Sequence, residues 1–361
     1  MAGLSVAFEL ARSGHSVTVL DRGTVGSESS WAGAGILSAL PPWAYGKAVQ
    51  ELVQAGIEQW PVWVRTLTHC TQTDPEYWVC GMAVLDEPNP ALAAQWCKTH
   101  TLKCEDGEHA ADTLAAVLKS RAVWLPDVAQ VRNPRLVRAL SEAVENQGGR
   151  ILTHTPASGL IAREGKVEAI RTPHGELRVD QVVLATGAWG GLNMGPLPGL
   201  TAIRPVRGQM LLFPPGSHTL ALILFRKGLY LVPRRDGHLL VGSTLEDVGF
   251  DSSTVPGMLT DLHRSACELV PELKNRQPIR SWAGLRPGSP DNIPLIDRHP
   301  DFDNLWLNLG HYRYGVTMAP ASAMLLVGLM EGRKPLIDPA PYSWTAFSQR
   351  PWTAANRPAP A

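Results

Sequence analysis

MAGLSVAFELARSGHSVTVLDRGT, residues 1–24, is the stretch from which the rest of the chain is read. Gly3, Leu4, Val6, Ala7, Leu10 and Ala11 recur at helical spacing, Gly14 closes the pattern, and residues 16–20 (SVTVL) continue as a buried strand that ends at Asp21. A helix whose first amides face a pyrophosphate, followed by a strand whose terminal acid takes ribose hydroxyls, is the second half of a dinucleotide-binding βαβ unit. An acid rather than an Arg at the end of that strand favours a free 2′-hydroxyl, as in FAD or NAD, over a 2′-phosphate. A full G-x-G-x-x-G turn would place its first strand and first two glycines ahead of Met1. Only the third glycine, Gly3, is present, so this reading expects a chain shortened at its N-terminus.

Working outward, residues 27–36 (SESSWAGAGI) are rich in Gly, Ala and Ser, which lets backbone approach a flat ligand and leaves amides free to bond it. Further along, residues 180–189 (DQVVLATGAW) form a β-branched strand ending in Ala-Thr-Gly-Ala. The turn at Gly187 is expected to make a second close approach to the same dinucleotide, since such ligands lie at the carboxyl ends of parallel strands. Residues 306–315 (WLNLGHYRYG) lead through a glycine-flanked corner into an apolar helix that runs to Met330, and the helix N-terminus would favour negative charge there.

Between these pieces, helices are expected over residues 47–68, 91–101 and 110–119, with a strand at 80–85. This block reads as an insertion, and residues 123–137 as a return to the first domain. A helix to Gln147 and strands at 151–153, 166–170 and 177–179 follow. Residues 208–213, 228–233 and 238–243 are strand-like, the last two flanking an RRDG turn at 234–237 as a hairpin, and a helix spans about 257–270. These strands are assigned to an antiparallel sheet in a second domain.

The chain of 361 residues is long enough for two domains with real cores. Its 33 basic and 33 acidic residues balance, which points away from nucleic acid and from an anionic membrane, and toward a small ligand. No apolar run reaches membrane-spanning length, and a cytoplasmic location is expected. Five cysteines, odd in number and without a C-x-x-C pair, argue against both a zinc site and a disulfide framework; no metal is expected. The 12 Trp and 30 Pro, as in PPW at 41–43 and WPVW at 60–63, are read as packing and rigid turns in connecting segments.

Five segments in this order carry a resemblance: residues 30–37 (SWAGAGIL), 205–210 (PVRGQM), 230–234 (YLVPR), 282–288 (WAGLRPG) and 310–313 (GHYR). Together they resemble the glycine oxidase and D-amino-acid oxidase superfamily of flavoproteins, most closely the glycine oxidases of bacterial thiazole (thiamine) biosynthesis. The resemblance implies an α/β fold: an FAD-binding Rossmann-like domain, N-terminally truncated, plus an antiparallel-sheet substrate domain of the D-amino-acid oxidase type. Residues 1–68, 126–204 and 281–361 would form the FAD-binding domain, and residues 69–125 and 205–280 the substrate domain. FAD would be held non-covalently, since no Cys follows Cys267.

By position, the resemblance implies Met1, Ala2 and Gly3 at the pyrophosphate and Asp21 and Arg22 at the adenosine ribose. Ser29, Ser30, Ala34, Gly35 and Ile36 would contact the diphosphate and ring, Ala157 the adenine side, and His311, Tyr312, Arg313, Tyr314, Gly315, Val316 and Thr317 the flavin edge. Tyr230, Arg286 and Arg313 would meet the substrate, a small amino acid or amine, with oxygen as electron acceptor. Relatives also imply a homo-oligomer. Tyr314 stands where an Asn is common in the thiazole enzymes, and its bulk would alter either substrate size or oxygen access. The residue types suit the chemistry. A planar guanidinium grips a carboxylate through two parallel bonds where Lys cannot, which selects Arg286, and Tyr230 adds a hydroxyl donor. No side-chain base is required if the amine binds unprotonated. The expected function is oxidation of glycine or another small amino acid to its imine, then to 2-oxo acid and ammonia, with hydrogen peroxide formed. Two alternatives stand beside it: a D-amino-acid dehydrogenase passing electrons to a quinone, and a shortened, flavin-free, non-catalytic protein.

Overall fold

The structure, a computed structural model, describes residues 1–100, 102–106, 122–190, 200–216 and 220–352. The helix expected over 110–119 lies outside these residues. The opening helix folds as read, Ala2–Arg12 burying Leu4, Val6, Ala7, Phe8 and Ala11, whereas the strand that follows is shorter than expected, Thr18–Leu20, and only partly buried. That strand pairs in parallel with Arg150–Leu152. Strand Val182–Leu184 pairs in parallel with Leu305–Leu309, which also pairs antiparallel with Leu295–Arg298. Helix Ala319–Met330 is apolar on nearly every side and is buried accordingly, with Leu325, Leu326 and Val327 fully enclosed.

Helix Lys47–Cys70 carries Pro61 in its interior, so the WPVW segment is helical and not the connecting segment expected. An interior Pro costs roughly 3 kcal/mol by removing one helix hydrogen bond. Trp60 and Trp63 offset it. Both are buried and edge to face at 5.2 Å, and burying each contributes on the order of 2 kcal/mol. Their ring N–H groups donate to the Thr317 carbonyl at 3.1 Å and to Glu9 Oε1 at 2.8 Å, tying this helix to the 310–317 corner and to the first helix.

The antiparallel sheet has eight strands in the order Arg280–Gly288, Arg204–Phe213, Leu239–Gly242, Leu229–Pro233, Ile223–Arg226, Met82–Leu85, Ala122–Leu125 and Glu105–Asp106. The hairpin turns at 234–237 as read, with the Gly237 amide donating to the Arg234 carbonyl at 2.9 Å. Three expectations change. Ile223–Arg226 and Met82–Leu85 pair in parallel, so the sheet is mixed. Ala122–Leu125 pairs with Met82–Leu85, so the chain leaves this sheet after Leu125, at the expected domain boundary, and residues 123–125 do not yet belong to the return. Arg280–Gly288 pairs with Arg204–Phe213 along its whole length, carrying the sheet past residue 280 into a segment expected in the cofactor-binding part. Hydrophobic alternation cannot show this last point, because both faces of that strand meet protein or cavity. Helix Pro256–Leu269 closes one face of the sheet, its Leu262, Ala266 and Leu269 packing among Leu211, Phe213, Leu231 and Val241.

No described helix is long and apolar enough to cross a membrane. None of the five cysteines is in a disulfide, and no cluster of potential metal ligands occurs among the described residues.

Candidate active site

A cavity of about 640 Å³ separates the helix-rich part of the molecule from the eight-stranded sheet. One wall is mostly backbone and small side chains. Met1 and Ala2 stand at the start of the first helix, whose N-terminus has no side-chain cap, so its first amides are available to an anion. Ser29, Ser30, Ala34, Gly35 and Ile36 continue the wall, and Ala185, Gly187 and residues 308–316 complete it.

Gly35 shows why the wall is made this way. Its φ is +77°, and an added Cβ would lie 2.0 Å from the Val131 carbonyl oxygen. The buried Arg234 stitches this loop down, donating to the Ala34 carbonyl at 2.8 Å, to Gln130 Oε1 at 2.7 Å and to the Val131 carbonyl at 3.1 Å. Burial, reinforced by neighbouring Arg132, pulls its pKa down to about 10, so Arg234 remains a cation at neutral pH.

The 310–315 corner has Gly310 at φ +76° and Tyr312 at φ +45°. Tyr312 Oη and Asn308 Oδ1 are buried without a hydrogen-bond partner among the described residues, while both residues line the cavity. Burial pushes the His311 imidazole down to about 3, and its Nε2 meets Ser322 Oγ at 3.0 Å, so this ring stays neutral at working pH. Tyr314 is also buried on this wall. Its hydroxyl accepts from the Leu40 amide at 3.2 Å, and its ring stands edge-on to Tyr45 at 5.0 Å.

The opposite wall comes from the sheet and is made of side chains. Arg286 lies directly over Gly208, where an added Cβ would be 2.2 Å from the guanidinium. Nη1 donates to the carbonyls of Arg207 (3.2 Å) and Thr244 (3.3 Å), and Nη2 donates to Ser243 Oγ (2.5 Å). An Arg has five N–H donors, so two remain, one on Nε and one on Nη2. No carboxylate among the described residues pairs with Arg286. Tyr230 lines the same cavity, its ring over Gly242 and its hydroxyl 3.4 Å from Met210 Sδ. Arg313 is exposed at the cavity edge, 5.4 Å from the Tyr312 ring centroid, also without an acidic partner among the described residues.

Most of the residues read from the sequence thus share one cavity: Met1, Ala2, Ser29, Ser30, Ala34, Gly35, Ile36, Gly187, Tyr230, Arg286, and His311 through Val316. Five do not line it. Gly3 lies behind the wall, packed 3.2 Å (as a notional Cβ) from Ala185, which is the close helix–strand approach expected of a third turn glycine. The Asp21 carboxylate accepts from the amides of Gly23 (3.0 Å) and Gly26 (3.2 Å) and so shapes its own loop. Arg22 pairs with Glu28 at 2.6 Å and stacks on Trp189 at 3.6 Å. Ala157 packs in a hydrophobic cluster with Val182 and Leu305, and Thr317 donates to the Ile36 carbonyl at 3.0 Å from behind the wall. Sequence reasoning missed Asn308, Ser243, Thr244 and the clamp by Arg234. The polar Ser-Thr pair ending a hydrophobic strand was the available signal for two of them.

A flat, anionic dinucleotide fits this enclosure. An uncapped helix start, positive-φ glycines at 35, 187 and 310, and two buried polar atoms without partners are what FAD would find on the first wall. The chain matches the family described as FAD dependent oxidoreductase (DAO) over residues 1–329. It is 44% identical over 348 residues to the glycine oxidase of Pseudomonas aeruginosa, covering 94% of this chain and 95% of that protein. It is 32% identical over 358 residues to the bifunctional protein ThiO/ThiG of Trichormus variabilis, covering 94% of this chain but 53% of that longer protein. The crystal structure of glycine oxidase from Geobacillus kaustophilus superposes with a TM-score of 0.88 at 26% identity, covering 95% of each chain. With a match that runs through both walls of the cavity, the chain belongs to the DAO family of FAD-dependent oxidoreductases.

Proposed function

We propose that the protein oxidises glycine, or another amino acid of similar size, to its imine, which water converts to the 2-oxo acid and ammonia. Dioxygen takes the electrons and leaves as hydrogen peroxide. The product imine would serve formation of the thiazole of thiamine, a reading supported by the similarity to glycine oxidases and to the ThiO/ThiG protein. FAD, when bound, supplies the hydride acceptor.

The observation that carries this reading is Arg286, a cation at the cavity wall with three donors used on carbonyls and a hydroxyl and two left. Its role is to take the substrate carboxylate side-on, and Tyr230 adds a hydroxyl donor from strand Leu229–Pro233, which two other strands of the same sheet separate from that of Arg286. Holding one end of a small molecule in this way orients its Cα–H without any side chain moving a proton. His311, neutral and bonded to Ser322, serves as a fixed polar support for the corner and not as a general acid or base. The cavity is large relative to glycine because the cofactor shares it, so selectivity for small amines comes from the space left beside Arg286 and Tyr230.

Anaerobic bleaching of the bound flavin by a panel of small amino acids, followed by peroxide detection in air, tests the proposal. Rapid bleaching by glycine with stoichiometric peroxide is expected. Bleaching without peroxide unless a quinone is added would replace the oxidase with a dehydrogenase.

A further inference from the structure

Behind Arg286 lies a polar network that reaches the cavity at Thr244 and is centred on the buried Glu246, which is 1% exposed. Its Oε1 accepts from Thr244 Oγ1 at 2.5 Å and from Gln209 Nε2 at 2.8 Å. Its Oε2 accepts from Arg207 Nη2 at 2.6 Å and Nε at 3.2 Å. The backbones of Arg207 and Glu246 also exchange two hydrogen bonds, at 2.9 and 3.1 Å. The Gln209 amide donates to Thr244 Oγ1 at 2.8 Å, so this hydroxyl is fixed as donor to Glu246 and acceptor from the strand.

Two of the three residues that Glu246 holds, Arg207 and Thr244, are the two whose carbonyls accept from Arg286 Nη1. We propose that Glu246 is a positioning residue for carboxylate binding: by fixing Arg207 and Thr244 it sets the plane of the Arg286 guanidinium. The inference rests on the reading of Arg286 as the carboxylate anchor. The network extends further. Gln209 Oε1 accepts from the Val255 amide at 2.7 Å, and Arg207 bonds Asp251 at 2.6 Å and the Ser253 carbonyl at 3.2 Å. Residue 255 precedes helix Pro256–Leu269, whose Met258, Leu262 and Ser265 line the cavity, so one buried carboxylate ties the anion grip to the helix that covers it.

A carboxylate suits this role because it accepts from Arg, Gln and Thr at once. Burial alone would raise the Glu246 pKa, but the bonds from Arg207, Gln209 and Thr244 hold it below the usual range, so the anion persists. In Glu246→Gln the amide group would present N–H to at least one of these donors, which forces Thr244 or Arg207 to shift.

The test is a double-mutant cycle read as the Kd of acetate, from its perturbation of the bound-flavin absorbance in the holoenzyme. Glu246→Gln is expected to raise Kd about tenfold with flavin content unchanged, but by under about twofold when Arg286 is already Ala, since coupled groups are not additive. Equal increases in both backgrounds, or no increase in the first, overturn the positioning role. Arg286→Ala binding acetate as the parent does would instead sink the anchor itself and the inference with it. Should Glu246→Gln not accumulate folded, Thr244→Val, which leaves the Arg207–Glu246 pair intact, is expected to raise Kd about threefold and Thr244→Ser to restore it. No rise, or no restoration, overturns the proposal.

Discussion

The two walls of the cavity are built by opposite means. The cofactor wall relies on backbone: helix N-terminal amides, positive-φ glycines and close approaches such as Gly35 on Val131. The sheet wall relies on side chains, Arg286 and Tyr230, that reach across glycines at 208 and 242. A backbone wall fails as a whole when an atom is added at a close approach such as Gly35, whereas a side-chain wall loses one interaction at a time. The difference separates holding the flavin from choosing the substrate.

The harshest test of that contrast is Gly35→Val. Its side chain meets the Val131 carbonyl in a backbone region closed to β-branched residues, so a loss of about 4 kcal/mol or more and flavin release are expected. Thermal denaturation and flavin retention on gel filtration check it. On the sheet wall, Arg286→Ala should keep its flavin yet lose about 100- to 1,000-fold in kcat/KM, equivalent to roughly 3–4 kcal/mol. Arg286→Lys should recover little of this, because an ammonium cannot bond a carboxylate side-on. Steady-state kinetics over a glycine series would show it, and an unchanged KM would break the comparison.

Gly208→Ala sharpens the contrast, because the added methyl acts only through Arg286. KM for the amino acid should rise about tenfold, near 1.4 kcal/mol, with Tm little changed. A pH effect belongs to the cofactor wall. Burial lowers the folded pKa of His311 to about 3, so the folded state stays neutral while the unfolded state takes up a proton below about pH 6.5. Its contribution is fully present above that pH and is lost at up to about 1.4 kcal/mol per unit as the pH falls toward 3. Urea unfolding at pH 7.5 and 5.5 should show a smaller acid loss in His311→Gln than in the parent. Tyr230→Phe gives the smallest effect: among the described residues its hydroxyl has only a weak sulfur contact, so about two- to fivefold in KM is expected, around 1 kcal/mol or less.

How much was legible follows the same division. The helix and strand of residues 1–24, the glycine-rich loop and the 310–315 corner could be read locally, because backbone-lined sites announce themselves through Gly, Ala and Ser at contiguous positions. Arg286 and Tyr230 were singled out from short segments that resemble a family. Glu246, Thr244 and Ser243 were not: the Ser-Thr pair at 243–244 marks only a polar strand end, and nothing in residues 243–246 (STLE) says that they meet an Arg some forty residues onward. Asp21 and Arg22 have the residue types of a ribose site, and in the structure they also bond Gly23, Gly26 and Glu28 and stack on Trp189, with acceptor sites left on the carboxylate.

The sequence by itself determined the local rules: where the chain turns, which helix starts can meet an anion, and which residue types could grip an amino acid. Tertiary structure alone decided the partners. It set strand Arg280–Gly288 beside Arg204–Phe213, put Arg286 over Gly208, and left that guanidinium without an acid among the described residues while giving Glu246 to Arg207. The reason is that spacing along a chain constrains neighbours within a turn or a strand, whereas cross-strand register brings together groups that no local pattern relates.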